Sequence, residues 1–271
     1  MAPDDATPLT YGSYLALDDV LSAQHLRSVP AHHDELLFIV QHQTSELWFK
    51  LMLHELRSAR SALDHDDLQT ALKRTARVKQ IQVTLTEQWS VLGTLTPSEY
   101  VEFREFLATS SGFQSYQYRA VEFLLGNKNP RMLSVFDAEP GAQAMLQTAL
   151  DEPSLYDAFL AFLARAGFPI PAAVLDRDVS QPWEFSPDLV QVIHDIYRDS
   201  TNHWRYYEAC EELVDLEENF QLWRFRHLRT VQRIIGLKSG TGGSAGVAYL
   251  ERALSQTFFP ELYAVRNEIG A

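Results

Sequence analysis

Apolar residues recur along the chain at three- and four-residue intervals from Tyr11 onward, and no stretch alternates as a half-buried strand would. The pattern predicts helices over 32–63, 66–93, from 96 onward, 113–126, 153–165, 186–199, 201–237 and 245–254. Local punctuation agrees with these bounds. Thr96-Pro97-Ser98-Glu99 supplies an N-cap, a proline at the first helical position and a capping-box glutamate. Pro153-Ser154 and Ser186-Pro187 open two more helices, Gly167 with Pro169 stops one, and Gly240, Gly242 and Gly243 interrupt the pattern. The helix over 201–237 would run roughly 55 Å at 1.5 Å per residue. Helices this long need packed partners, so the expected fold class is all-α, a helical bundle of long helices. The proline-bearing segment 168–186 suggests a small helical insertion. Residues 1–10 read as a flexible N-terminal tail and 11–271 as a single domain.

Two helices carry polar residues where a core is expected. The first is apolar on nearly every side at 36–40 and 47–53, yet its centre is Gln41-His42-Gln43-Thr44-Ser45-Glu46. Burying these without partners would cost on the order of 1–3 kcal/mol each. Phe38, His42, Ser45 and Phe49 share one stripe. Either a polar network ties this helix to its neighbours, or the stripe is a pocket wall with His42 facing a ligand. The last long helix places His227 on a seam with Leu213, Leu216, Phe220, Trp223 and Ile234. That histidine reads either as a hydrogen-bonded core residue or as a metal or haem ligand. Of the neighbouring Arg224, Arg226 and Arg229, most are expected on a solvated face. Tyr100, Phe103, Arg104 and Leu107 share a face of the third helix, where an arginine needs a carboxylate or phosphate, internal or from a ligand.

Composition narrows the chemistry. A formal charge of −13 disfavours phosphate backbones, and no basic run offsets it, so nucleic acid is not an expected partner. The single cysteine, Cys210, forbids an intrachain disulfide and thiolate clusters. No apolar run reaches membrane length and the first ten residues do not read as a signal peptide, which together suggest a cytoplasmic protein. HExxH, paired ExxH, CxxCH, a P-loop and a nucleophile elbow do not occur. Lys238-Ser239-Gly240-Thr241-Gly242-Gly243-Ser244 follows a helix rather than a strand, so it reads as a lid or a plain interhelical turn and not a phosphate loop. His32-His33-Asp34-Glu35 reads as an N-terminal turn, because adjacent helical residues point apart.

Several strings go further. Tyr11-Gly12-Ser13-Tyr14-Leu15, His33-Asp34-Glu35, Phe38-Ile39, His42-Gln43 and Glu46-Leu47-Trp48 resemble the start of tryptophan 2,3-dioxygenases. Ser111-Gly112-Phe113-Gln114-Ser115 with Gln117-Tyr118-Arg119 resembles the family's middle signature. Trp223-Arg224-Phe225-Arg226-His227, then Gly240-Thr241-Gly242-Gly243-Ser244, and finally Phe258-Phe259-Pro260-Glu261-Leu262 resemble its end. The resemblance runs in order from Thr10 to Arg266. It departs at Ala108, where the family usually has glycine, and at Ser239, where arginine is common.

The resemblance implies a bundle built around a buried b-type haem (iron protoporphyrin IX) with His227 as its iron ligand. His42 would lie on the opposite, distal side near the indole N–H, and is the expected catalytic residue. Phe38 would pack on the indole, Arg104 would pair with the substrate carboxylate, and Tyr100 would lie nearby. Thr241 would contact the ammonium and carboxylate groups. Trp89, Ser111 and Gly112 would line the haem. The implied assembly is a homotetramer in which Tyr11, Tyr14 and Leu15 reach a neighbour's site. The implied reaction inserts both atoms of O2 across the indole C2–C3 bond of L-tryptophan to give N-formyl-L-kynurenine, the first step of tryptophan catabolism by the kynurenine route. Three alternatives are a haem monooxygenase giving an oxindole-type product from tryptophan or an alkylated tryptophan, a non-catalytic haem-binding protein, and a helical interaction protein with no cofactor.

Overall fold

The computed structural model describes residues 8–238, 240–242 and 246–270. Ser239, Gly243 and Ser244, part of the glycine-rich string, lie outside the described residues, as does most of the N-terminal segment. Among the described residues every regular element is helical. Two short helices come first, α1 (Tyr11–Tyr14) and α2 (Leu17–Leu21). Thr10, assigned to the tail on sequence grounds, instead caps α1 through a reciprocal box with Ser13.

The frame is made by α3 (Glu35–Asp64), α4 (Leu68–Glu87) and α12 (Trp204–Ile235), α4 packing against both of the others. The helix expected over 66–93 divides at Gln88 into α4 and α5 (Trp89–Leu92). The third expected helix is α6 (Pro97–Arg104), opened by the Thr96–Glu99 box and ended by a single 3-10 turn. The one expected from 113 begins later, as α7 (Tyr116–Leu125), with a 3-10 turn at Gly112–Gln114 before it. Ser115 supplies the cap: its hydroxyl accepts from the Tyr118 N–H.

Then follow α8 (Pro140–Asp151), which the apolar pattern did not single out, α9 (Leu155–Arg165) and α10 (Ala172–Leu175). The chain continues through α11 (Pro187–Arg198) to α12, whose 32 residues span about 48 Å. After the glycine-rich segment come α13 (Val247–Leu254) and α14 (Pro260–Ala264). Helix α3 also packs on α7 and α9, and α12 on α13. Met52, Leu56, Val78, Leu85, Phe123 and Leu216 fill the space between the long helices. Buried Glu261 fastens the proline-bearing segment to α14, accepting from the Trp183 indole at 3.0 Å, the Ser186 N–H at 2.8 Å and the Tyr156 hydroxyl at 3.1 Å.

Candidate active site

The polar centre of α3 is both an interhelical network and a pocket wall. Thr44 donates to Gln88 at 3.3 Å, and Gln88 donates to Ser45 at 2.7 Å. Gln43 donates to the Ala23 carbonyl at 2.9 Å, and Gln117 of α7 donates to the Glu46 carboxylate at 2.8 Å. These bonds engage Gln43, Thr44, Ser45 and Glu46, whereas the side-chain nitrogen of buried Gln41 has no partner among the described residues. On the remaining face Phe38, His42, Ser45, Glu46 and Phe49 line one cavity.

This cavity is a half-open cleft, its empty space of about 1370 Å³ running out into open solvent. Helix α3 contributes the stripe just named, α5 contributes Trp89 and α6 contributes Tyr100. The 3-10 turn before α7 brings Ser111 and Gly112. Helix α12 brings Trp223 and His227, and Thr241 follows in the glycine-rich segment.

His42 is fixed by its own helix. Its Nδ1 lies 2.7 Å from the Phe38 carbonyl, which can only accept, so Nδ1 carries the hydrogen and Nε2 presents a lone pair. Burial lowers the imidazole's pKa below the usual histidine value, which keeps the ring neutral. The Phe38 ring lies 4.2 Å from the His42 ring and 6.0 Å from Tyr100, centroid to centroid. Together they form an aromatic corner beneath a hydrogen-bond acceptor.

His227 is different. Neither ring nitrogen makes a hydrogen bond to a described residue, so it is not the satisfied core histidine that sequence pattern also allowed. Its ring stacks on Trp89 with centroids 4.6 Å apart and planes 7° from parallel. Burial, and next the nearby His42, pull its pKa down to about 4. It is therefore a neutral imidazole with a free lone pair on a cavity wall, the form in which histidine binds a metal. The indole N–H groups of Trp89 and Trp223, both buried, have no partner. A Cβ placed on Gly112 meets nothing within 4 Å, which leaves that edge of the cavity open.

Thr241 and Gly242 pack on the loop before α7. The Thr241 hydroxyl donates to the Ser110 carbonyl at 2.5 Å. Gly242 is required by this approach, since a Cβ there would stand 2.6 Å from the Ser111 Cβ.

The structure thus brings Phe38, His42, Trp89, Tyr100, Ser111, Gly112, His227 and Thr241 to one cavity. Arg104 stands beside it rather than among its lining residues, its guanidinium 5.9 Å from the Tyr100 ring centroid. Tyr11, Tyr14 and Leu15 do not line it; Tyr11 and Tyr14 are 77% and 72% exposed. Of the three arginines, most of which were expected on a solvated face, Arg226 and Arg229 are exposed, while Arg224 is buried against Glu122 at 2.7 Å. The signal for that pair was a lone Glu122 within the apolar run that ends α7.

The comparisons with known proteins bear on the same residues. The family model described as tryptophan 2,3-dioxygenase matches residues 3–196 and 191–269. The chain belongs to the tryptophan 2,3-dioxygenase family. A relative of that name from Kineococcus radiotolerans is 65% identical over 268 residues, 99% of this chain and 94% of the relative. One from an Arthrobacter species is 63% identical over 267 residues, 98% of this chain and 94% of its own length. One from Xanthomonas campestris is 57% identical over 262 residues, covering 97% and 88%. Membership makes the chain an oxidoreductase. Among the described residues no helix is long and apolar enough to cross a membrane.

Proposed function

We propose that residues 11–271 act as one haem-binding domain that inserts both atoms of O2 across the indole C2–C3 bond of L-tryptophan, yielding N-formyl-L-kynurenine. The observation that carries this reading is the pair of neutral histidines on one large cavity: His227 with a free lone pair, and His42 with an acceptor aimed beside an aromatic corner.

The residues present fit a b-type haem. His227 would ligate the iron, Trp89 would hold the imidazole plane by stacking, and Ser111 and Gly112 would border the macrocycle. When bound, the haem supplies the activation of O2 that protein side chains do not provide.

The chain's own residues position the substrate. Phe38 and Tyr100 offer faces for the indole, and His42 Nε2 accepts the indole N–H, fixing which ring edge faces the haem. Arg104 offers the planar fork that matches a carboxylate. Thr241 already donates to Ser110, so its oxygen lone pairs are left to accept from the substrate ammonium. That bond also ties Thr241 to the loop before α7 at the cavity wall. The exposed apolar side chains of α1 and α2 suit a homotetramer in which Tyr11, Tyr14 and Leu15 cover a neighbour's cavity. Cytoplasmic residence goes with this proposal.

The test is turnover of L-tryptophan under isotopically labelled O2. Two labelled oxygens in a ring-opened product are expected. A single labelled oxygen in an oxindole would instead assign monooxygenation.

A further inference from the structure

A buried charged cluster adjoins the cavity, and the proposed reaction does not use it. Arg119 and Glu122 are three residues apart on α7 and Arg224 is on α12; they are 5%, 1% and 3% exposed. The Glu122 carboxylate is saturated. One oxygen accepts from Arg119, and the other accepts from Arg224 at 2.7 Å and from the Tyr118 hydroxyl at 2.9 Å. Arg224 directs its remaining donors to the Ala253 and Gln256 carbonyls, each at 3.0 Å, and to Tyr118. Glu217, the next acid towards Arg224, is engaged with the backbone N–H groups of Phe258 and Phe259, and burial pushes its carboxyl towards the neutral form. Two guanidiniums therefore share one carboxylate.

A buried surplus of positive charge is costly unless a counter-charge reaches it. The route is visible. Arg119 lines the cavity and donates to the Tyr249 hydroxyl at 3.1 Å, and Tyr249 lines it as well. Tyr249 thus accepts from a cation, which polarises its own O–H, and no described residue takes that hydrogen. The Arg119 Nε–H is likewise buried without a partner. The cluster lies on the iron-ligand side of the cavity, since Arg224 is one helical turn from His227.

We infer that Arg119 and Tyr249 form a carboxylate-binding site on the cavity wall, and that its occupant is an acidic side chain of the porphyrin. This rests on the haem reading above. The amino-acid substrate also carries a carboxylate, but the aromatic corner where its ring would sit is built by Phe38, His42 and Tyr100, beside Arg104.

The test uses haem-free full-length protein titrated with zinc protoporphyrin IX and with its dimethyl ester, read by porphyrin fluorescence rather than by turnover. Wild type should bind the diacid at least about tenfold more tightly than the ester, the scale of a charge-assisted hydrogen bond. Tyr249→Phe, which keeps the ring, and Arg119→Lys, which keeps the charge, should each weaken the diacid about fivefold to tenfold and move the ester less than about twofold. Equal losses for both porphyrins, or no loss for either, would overturn the assignment. So would a fall in L-tryptophan affinity of the haem-loaded Tyr249→Phe protein with the diacid preference intact, because the carboxylate served would then be the substrate's. A wild type that takes up neither porphyrin defeats the haem reading itself, whereas equal uptake of both defeats only this site.

Discussion

His42 owes its chemistry to one bond: with Nδ1 donating to the Phe38 carbonyl, Nε2 can only accept. A residue in that position orients an indole without having to remove its proton. His42→Ala should therefore lower kcat/KM about tenfold to a hundredfold, the scale of a single positioning contact, while haem content stays that of wild type. Loss of haem in that variant, seen in the Soret band, would contradict the distal placement. Two loop positions have equally local causes. Ala108 stands at φ 48°, ψ −117°, a region that favours glycine, which accounts for the glycine usual there in the family. Relief of this strain in Ala108→Gly should raise stability by about 1 kcal/mol in denaturant melts. At Gly242 the reverse holds. An added methyl collides with Ser111, so Gly242→Ala should displace Thr241 from the cavity wall and raise KM for L-tryptophan several-fold, with the melting temperature nearly unchanged.

At the scale of elements, the helices are tied by buried charges as much as by apolar contact. Lys128, buried after α7, donates to the Ala149, Leu150 and Glu152 carbonyls at 2.7, 3.0 and 2.6 Å and so closes the C-terminal end of α8. Lys128→Met should cost on the order of 3 kcal/mol, measurable as a shifted urea midpoint. Glu122 joins α7 to α12. Burial opposes its charge, but Arg119 and then Arg224 hold its carboxyl below the usual carboxylate range. A carboxyl lowered on folding stabilises above its unfolded value and loses that contribution as pH falls through the folded one. Wild type should therefore lose stability below about pH 4.5 more steeply than Glu122→Gln, which should be weaker at pH 7 by about 3–5 kcal/mol through its unpaired arginines.

Much of this frame was legible in the sequence. Caps at Thr96, Ser154 and Ser186 marked true helix starts, and the long helices ended within a few residues of their expected bounds. The division at Gln88 was not legible, because no proline or glycine marks it and the turn is set by packing against α3 and α12. Helix α8 escaped notice because small alanines carry much of its buried face. The stripe on α3 and the seam on α12 were both found, but the cavity between them required the tertiary arrangement. So did the burial of Arg224: alternating charges along a helix do not reveal which of them meets a partner from another element.

Across the whole molecule, α3 and α12 each present one histidine to the same cleft, and family membership rests on other grounds than that geometry. The proposed cofactor and substrate pose both depend on what His227 binds. The most direct measurement is a titration of the purified wild-type chain and of His227→Ala with haemin, followed by reduction and addition of L-tryptophan under exclusion of O2. In wild type, one haem per chain and a tryptophan-dependent shift of the ferrous Soret band are expected, and in His227→Ala the tight axial complex should be lost. A wild type that takes up no haem, or a His227→Ala protein with the same affinity and ferrous spectrum, would contradict the assignment of that imidazole as the iron ligand.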